Sequence, residues 1–407
     1  QAFYNTDELI QELVNQGKSL VDARNAGCSG CVETGAWGTE AYWLTGYLNI
    51  PKCLQLALYD GYDVMFKKQI GPHTGKAEDF KSYDELWNAF KTQLEYIIDV
   101  KMRGNLVIER IYSQMMPAPF LSICTDDCIK KGKDYNAGGP RYNTSYIQGV
   151  GIGTISDALS AIKFNVFDNQ KFTMKELIDA MNDDFKGHED ILNLVKNKTP
   201  KYGNDDDYAD DIMVSVFNEY KDYITGRPTT RGGVYHVDML PTTCHVYFGD
   251  VMIATPNGRL AHNPLSEGIS PEKGADINGP TAVVKSCSKM NHCETGGTLL
   301  NQKFTPAAIA GEKGIDNLAA LIRSYFAMNG HHMQFNVIDR QTLIEAQKNP
   351  EEYKELIVRV AGYSDYFRNL DKPLQNEIIE RTELWRLWLL LIARNRLTTL
   401  KVFIATY

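Results

Sequence analysis

Short apolar runs that alternate with helical segments constrain this chain more than any other feature. "GGVYHVDML", "TAVVKS", "HMQFNVID" and "LIVRV" read as strands, each beside a glycine-rich or polar loop. "SYDELWNAFKTQLEYIIDVKMRG" opens with Ser82 and Glu85 as a capping box and puts Leu86, Phe90, Leu94 and Ile97 on one helical face, with Gly104 as its expected end. "NPEEYKEL" predicts a helix with Pro350 at its first position, and "DKPLQNEIIERTE" predicts another from Asp371 with Pro373. Helices alternating with buried strands imply an α/β architecture whose sites gather in the loops at strand ends. No repeat, low-complexity tract or Pro/Gly/Ser-rich linker divides the chain.

Bulk properties narrow the function class. At 407 residues, with 43% hydrophobic and 23% charged residues, the chain is long enough for one large core or two to three ordinary domains. A net charge of −8 argues against nucleic acid as the main partner, because phosphate binding needs clustered Lys and Arg. The eight cysteines are spread widely and no signal peptide is evident, which predicts reduced thiols in a cytoplasm. The end of the sequence, "LWRLWLLLIARNRLTTLKVFIATY" at 384–407, is apolar and basic. Its apolar run, 387–393, falls short of the roughly 20 residues that span a bilayer. An amphipathic membrane or partner helix is one reading, and a foreign or out-of-frame tail is the favoured one.

Two glycine-bounded stretches carry the candidate chemistry. In "GCSGCVETGAWG", Cys28 and Cys31 are spaced as half a zinc site, as a redox dithiol, or as one working thiol with a neighbour. Zinc needs a second pair nearby, and Cys124/Cys128 and His292/Cys293 lack the spacing. A redox dithiol wants a helix start after a strand, whereas Gly27, Gly30, Gly35 and Gly38 describe a tightly turning loop. Glu33 falls on the same side of an extended loop as Cys31, so a thiol for bond breaking and a carboxylate for proton transfer stand together. These residues alone favour that third reading without closing the others. In "RVAGYSDY", Gly362 follows a strand-like run, and a positive-φ corner is its ordinary explanation. Glycine has one further ability: losing an α-hydrogen leaves a carbon radical delocalised over the flanking amides, and a side chain would crowd that planar centre.

Taken together, Cys-x-Glu and a distant Arg-Val-x-Gly-Tyr resemble the two marks of the glycyl radical enzymes, the pyruvate formate-lyase-like superfamily. Intervening segments are similar as well, among them "GKDYNAGGPRYNTSYIQGVGIGT", "MLPTTCHVYFG", "TGGTLLNQKFTP" and "GHHMQFNVID". The resemblance covers 1–383 and implies the C-terminal part of a ten-stranded α/β barrel. It divides the chain into a barrel part with the Cys loop (1–255), a glycine radical domain (256–383) and the atypical tail. It further implies a radical stored on Gly362 by a separate radical S-adenosylmethionine activating enzyme. Cys31 would relay the hydrogen, and Glu33 would exchange a proton with substrate. No bound metal is expected, the substrate is a small molecule, and the full-length enzyme is a homodimer, with no nucleic-acid or membrane partner. As half a barrel, the chain alone is expected to be inactive and poorly soluble.

The family places the reactive thiol directly before x-Glu, which leaves Cys28 a bystander. That spacing resembles the dehydratase, decarboxylase and C–S or C–N lyase branches rather than the name-giving formate-lyases. Within them, the resemblance runs without gaps to hydroxyproline dehydratases, which implies elimination of water from trans-4-hydroxy-L-proline to give pyrroline-5-carboxylate. By that pattern Tyr47 and Thr242 would line the substrate pocket. Trp37, Thr39 and Trp43 depart from it, and His236 stands where Arg is expected, removing a bidentate fork for a carboxylate or sulfonate. The alternatives are a sulfonate lyase, an arylacetate decarboxylase, a formate acetyltransferase-like enzyme, or a non-catalytic partner chain bearing the radical glycine.

Other features read as bland. "GVGIGT" at 149–154 is not expected to sit in a strand–turn–helix of the dinucleotide type. Asp205, Asp206, Asp207, Asp210 and Asp211 read as a solvated acidic turn. His331 and His332 should face opposite ways on a strand, so they are not a two-His metal site.

Overall fold

A computed structural model describes residues 2–29 and 31–384, so beyond Leu384 the expected tail lies outside the described residues. The strands that carry the fold are β1 (Ala2–Tyr4), β2 (Glu40–Asn49), β3 (Tyr142–Val150), β4 (Tyr235–Asp238), β5 (Asn301–Phe304) and β6 (His332–Val337). Strands β2, β3 and β4 pair in parallel, and a parallel bridge between Met239 and Thr298 passes this wall on to the β5 segment. β5 pairs in parallel with β6, and β1 closes the far edge antiparallel, with Tyr4 opposite His332. The helices named below are α1 (Thr6–Asn15), α2 (Tyr83–Met115), α3 (Ile152–Ile162), α4 (Asp207–Ile224), α5 (Gly311–Ala327) and α6 (Lys372–Glu380).

Alternation along the strands separates a structural face from a working face. Leu299 and Leu300 are neighbours, so their side chains leave the sheet on opposite sides. Leu300 joins a large core with Ile147, Val237, Met333 and the helices, where α3 is buried along its whole length. Leu299 joins a small cluster of Val32, Leu240 and Ala361, with Cys31 packed against it. The sequence has therefore placed its candidate thiol on the side of the sheet away from the helix-packed core.

Several sequence expectations need correction. The long helix does not stop at Gly104: α2 runs on to Met115 and buries Asn105 and Glu109 beyond that glycine. A mid-helix glycine costs only about 1 kcal/mol relative to alanine, and the packing beyond it outweighs that. Pro117 follows, where the chain must turn. "TAVVKS" is not a strand but lies in helix Pro280–Cys287, with Pro at the start after Gly279 at φ 83° and with Val283, Val284 and Cys287 buried. The stretch after Pro350 is a turn rather than a helix, and the strand Ile357–Arg359 begins seven residues after that proline. The helix expected from Asp371 is present as α6, whose Leu374 N–H donates to the Asp371 carboxylate at 3.0 Å.

A strand–turn–helix does occur at 149–154, against expectation: β3 ends at Val150, Gly151 turns at φ 88° and α3 starts at Ile152. The space a phosphate would use is filled by the chain itself. Thr154 N–H donates to Ser266 Oγ at 2.9 Å, the Thr154 hydroxyl donates to Glu272, and a Cβ on Gly153 would meet the Ser270 carbonyl oxygen at 2.7 Å. The acidic stretch is not the solvated turn expected: Asp206 caps α4, and Asp207, Asp210 and Asp211 lie on that helix. Asp210 is buried, its charge held with that of Asp207 by Lys289 at 2.7 and 2.6 Å, while Lys285 holds Asp205 at 2.8 Å. Among the described residues, no helix is long and apolar enough to cross a membrane.

Candidate active site

The Cys loop is the tip of a small hairpin. Gly27–Cys28 pairs antiparallel with Thr34–Gly35, and Ser29 N–H donates to the Glu33 carbonyl at 2.9 Å. Three distant segments hold it. The Tyr4 hydroxyl donates to the Cys31 carbonyl at 2.6 Å, Thr34 N–H donates to the Gly296 carbonyl at 2.9 Å, and the Val32 carbonyl lies 3.1 Å from His331 Nε2. A Cβ on Gly297 would run into that same Val32 carbonyl, so the loop and the 296–297 turn meet backbone to backbone.

Gly362 sits buried at the tip of a second hairpin, between the strands Ile357–Arg359 and Ser364–Tyr366. Its φ of 88° lies where side chains are strained. Val360 N–H closes the turn on the Tyr363 carbonyl at 2.9 Å, and Gly362 N–H donates to Gln334 Oε1 at 3.3 Å. Arg359 Nε donates to the same Gln334 oxygen at 2.6 Å. An ideal Cβ built on Gly362 would lie 2.5 Å from Cys31 Cβ and 2.8 Å from Cys31 Cα. The α-hydrogen that such a side chain would replace therefore faces Cys31 directly.

The remaining sequence candidates are near this contact. Glu33 is buried and accepts from the Ser29 hydroxyl and, at 3.1 Å, from Val32 N–H. Tyr47 and Thr242 share a hydroxyl–hydroxyl bond of 2.9 Å. Burial, and after it the nearby Cys and Glu33 charges, hold the Tyr47 hydroxyl above its usual range. His236 is pushed down to about 4 by burial and by Lys18, so it is neutral and cannot replace an Arg charge. No local signal in the sequence singles out Asp238. Its carboxyl accepts the Tyr42 hydroxyl at 3.1 Å, and burial and Glu33 raise it well above the carboxylate range. Among the described residues, Glu8, Glu12 and His331 are a buried group with metal-capable side chains. His331 is not paired with His332 there, whose ring lies 5.0 Å from the Tyr4 ring.

All eight cysteines are free thiols. Burial, and then Glu33, push the Cys31 thiol up to about 11, with Arg359 working against them. At pH 8 the thiolate is thus roughly one part in a thousand, and the S–H bond that could give up a hydrogen atom is intact. Iodoacetamide at pH 8 is expected to label exposed Cys124 first and Cys31 slowly, with Cys31 accelerating as pH climbs towards 11. Peptide mapping that found both labelled equally at pH 8 would contradict a half-buried, protonated Cys31.

Comparison with known proteins agrees with this geometry. The pyruvate formate lyase-like family model matches residues 1–249, and the glycine radical model matches residues 265–368, which include Gly362. The chain belongs to the pyruvate formate lyase-like family. It is 64% identical over 382 residues to trans-4-hydroxy-L-proline dehydratase of Clostridioides difficile, covering 94% of this chain and 48% of that protein. The crystal structure of hydroxyproline dehydratase from the same organism, with trans-4-hydroxy-L-proline bound, superposes with a TM-score of 0.94 at 64% identity over 95% of this chain and 49% of that one. A glycyl radical enzyme from Archaeoglobus fulgidus superposes with a TM-score of 0.87 at 34% identity, over 93% of this chain and 48% of that one. The fold is that of these α/β barrels, and the chain spans about half the length of the relatives it matches.

Proposed function

We propose that this chain carries the radical centre of a glycyl radical dehydratase acting on trans-4-hydroxy-L-proline. The observation that carries the reading is the Gly362–Cys31 contact, where an α-hydrogen faces the thiol with no side chain between. The identity to the Clostridioides difficile dehydratase supports the substrate.

In this reading Gly362 stores the radical and takes the hydrogen atom from the Cys31 thiol. The thiyl takes a hydrogen atom from the ring carbon beside the substrate nitrogen. Glu33 transfers the proton with which the neighbouring hydroxyl leaves as water, the thiol returns its hydrogen, and the net product is pyrroline-5-carboxylate. Tyr47 and Thr242 line the pocket as a hydroxyl pair. A buried Gly362 needs an external agent to start the cycle, and a radical S-adenosylmethionine enzyme supplies that chemistry. The division at 255/256, homodimeric assembly and a cytoplasmic location belong to the same reading.

The test is anaerobic activation of the full-length protein, followed by trans-4-hydroxy-L-proline and an assay for pyrroline-5-carboxylate. Product formation is expected. A protein that shows the radical and makes no product would overturn the substrate and keep the chemistry.

A further inference from the structure

One short segment of chain holds both partners of the proposed hydrogen transfer. Gln334 and Asn336, on β6, fix the glycine loop. Gln334 Oε1 accepts from Gly362 N–H and Arg359 Nε, while Asn336 donates to the Arg359 carbonyl and accepts from Arg359 N–H, both at 2.7 Å. His331, immediately before β6, fixes the Cys loop. Its Nε2 lies 3.1 Å from the carbonyl of Val32, the residue between Cys31 and Glu33, and its Nδ1 lies 2.6 Å from Glu8 Oε2. His331, Glu8 and Glu12 are all buried on α1 and beside β6, and Glu12 Oε2 stands 3.6 Å from the same Nδ1.

The ring's protonation follows from its neighbours. A carbonyl oxygen only accepts, so Nε2 must carry a proton, and the Glu8 carboxylate calls for a second on Nδ1. Burial opposes that charge, but Glu8, with Cys28 and Glu12, more than offsets it, and His331 titrates well above its ordinary range. A charged donor to a neutral carbonyl is among the stronger hydrogen bonds, and here it is fully buried.

We propose that His331 is a positioning residue whose hydrogen bond to the Val32 carbonyl, braced by Glu8, sets the Cys31 thiol against Gly362. Strand β6 then spans the two loops, with His331 at one end and Gln334 and Asn336 further along. This rests on the reading of Gly362 and Cys31 as hydrogen-exchange partners and does not depend on the substrate. The exchange moves one hydrogen atom from S–H to the glycyl carbon and back, so nothing is oxidised or reduced overall.

That reversibility supplies the readout. The radical carbon keeps one α-hydrogen, so its electron paramagnetic resonance signal is a doublet. In D2O the thiol becomes S–D, and each return transfer can deliver deuterium to Gly362, so the doublet collapses to a singlet. In activated full-length protein, His331→Met, alone or with Glu8→Gln so that the Glu8 carboxylate is not left facing a missing partner, should form the radical in wild-type amount. Its collapse should be about 10- to 100-fold slower, the cost of misplacing a reacting atom by about an ångström. His331→Gln, which keeps an N–H within reach of Val32, should recover most of the rate. Wild-type collapse in the methionine variants overturns the proposal, as does equal slowing in methionine and glutamine. If the methionine variants fail to fold, His331→Gln is compared with His331→Asn, whose amide is too short to reach, and equal rates then overturn it. Collapse occurs without substrate, so a wrong substrate would appear separately, as intact collapse with no product. A wild type with no doublet would refute the radical reading and this inference with it.

Discussion

Gly362→Ala in the full-length protein should abolish both the radical doublet and product formation while lowering the melting temperature. Two effects combine. The backbone at 362 has φ 88°, where an L side chain costs about 1–2 kcal/mol. The new methyl would then lie 2.5 Å from Cys31 Cβ and 2.8 Å from its Cα, so one of the two hairpins must move as a unit. The chemical loss is more complete, because the methyl replaces the hydrogen that faces the thiol. Mass spectrometry adds a second arm. Activated wild type exposed to air should be cut at Gly362, because oxygen adds to a carbon radical, and the alanine variant should stay whole. Air exposure that leaves activated wild type uncut, or a doublet in the alanine variant, would remove Gly362 from its role.

Cys31→Ser should separate storing the radical from using it. The hydroxyl nearly matches the thiol in shape, and Cys31 packs at the margin of the Val32, Leu240, Leu299 and Ala361 cluster, so stability should change by about 1 kcal/mol or less. An O–H bond is much stronger than S–H, so a glycyl carbon cannot draw a hydrogen atom from serine. The expected result is a normal doublet after activation, no collapse in D2O and no pyrroline-5-carboxylate. Glycine and cysteine variants would then fail at different, separately measured steps. A serine variant that still makes product would show that the hydrogen passes by another route.

Strongly patterned local signals survived the passage from sequence to structure. Asp371 caps α6, Ser82 caps α2 through the Glu85 N–H, and the strands in "GGVYHVDML" and "HMQFNVID" stand where alternation put them. Errors came where a short apolar run fits either periodicity, as in "TAVVKS", or where one glycine was weighed without the packing beyond it, as at Gly104. The candidate residues Cys31, Glu33 and Gly362 stood out through the two motifs that carry the family resemblance, and the structure brings Gly362 against Cys31. The supports of that contact did not stand out. His331 in the sequence is one of a histidine pair, and nothing local says that its ring will reach Glu8 on one side and Val32 on the other. Asp238 likewise looks like an ordinary strand end until Tyr42 and Gly296 close around it.

The Cys loop is anchored by Tyr4, Gly296 and His331, and it is completed by Gly362. Each anchor except Tyr4 lies far along the chain from residue 31, so these contacts have high sequence separation and close late in folding. Until β6 and the second hairpin are in place, the loop that bears the thiol has no backbone partner on most of its sides. An incompletely folded or newly synthesised chain would therefore hold cysteine and glycine apart, and a radical placed on it would have no thiol to reach. High contact order, usually counted as a kinetic burden, would on the proposed reading withhold reactivity from misfolded copies.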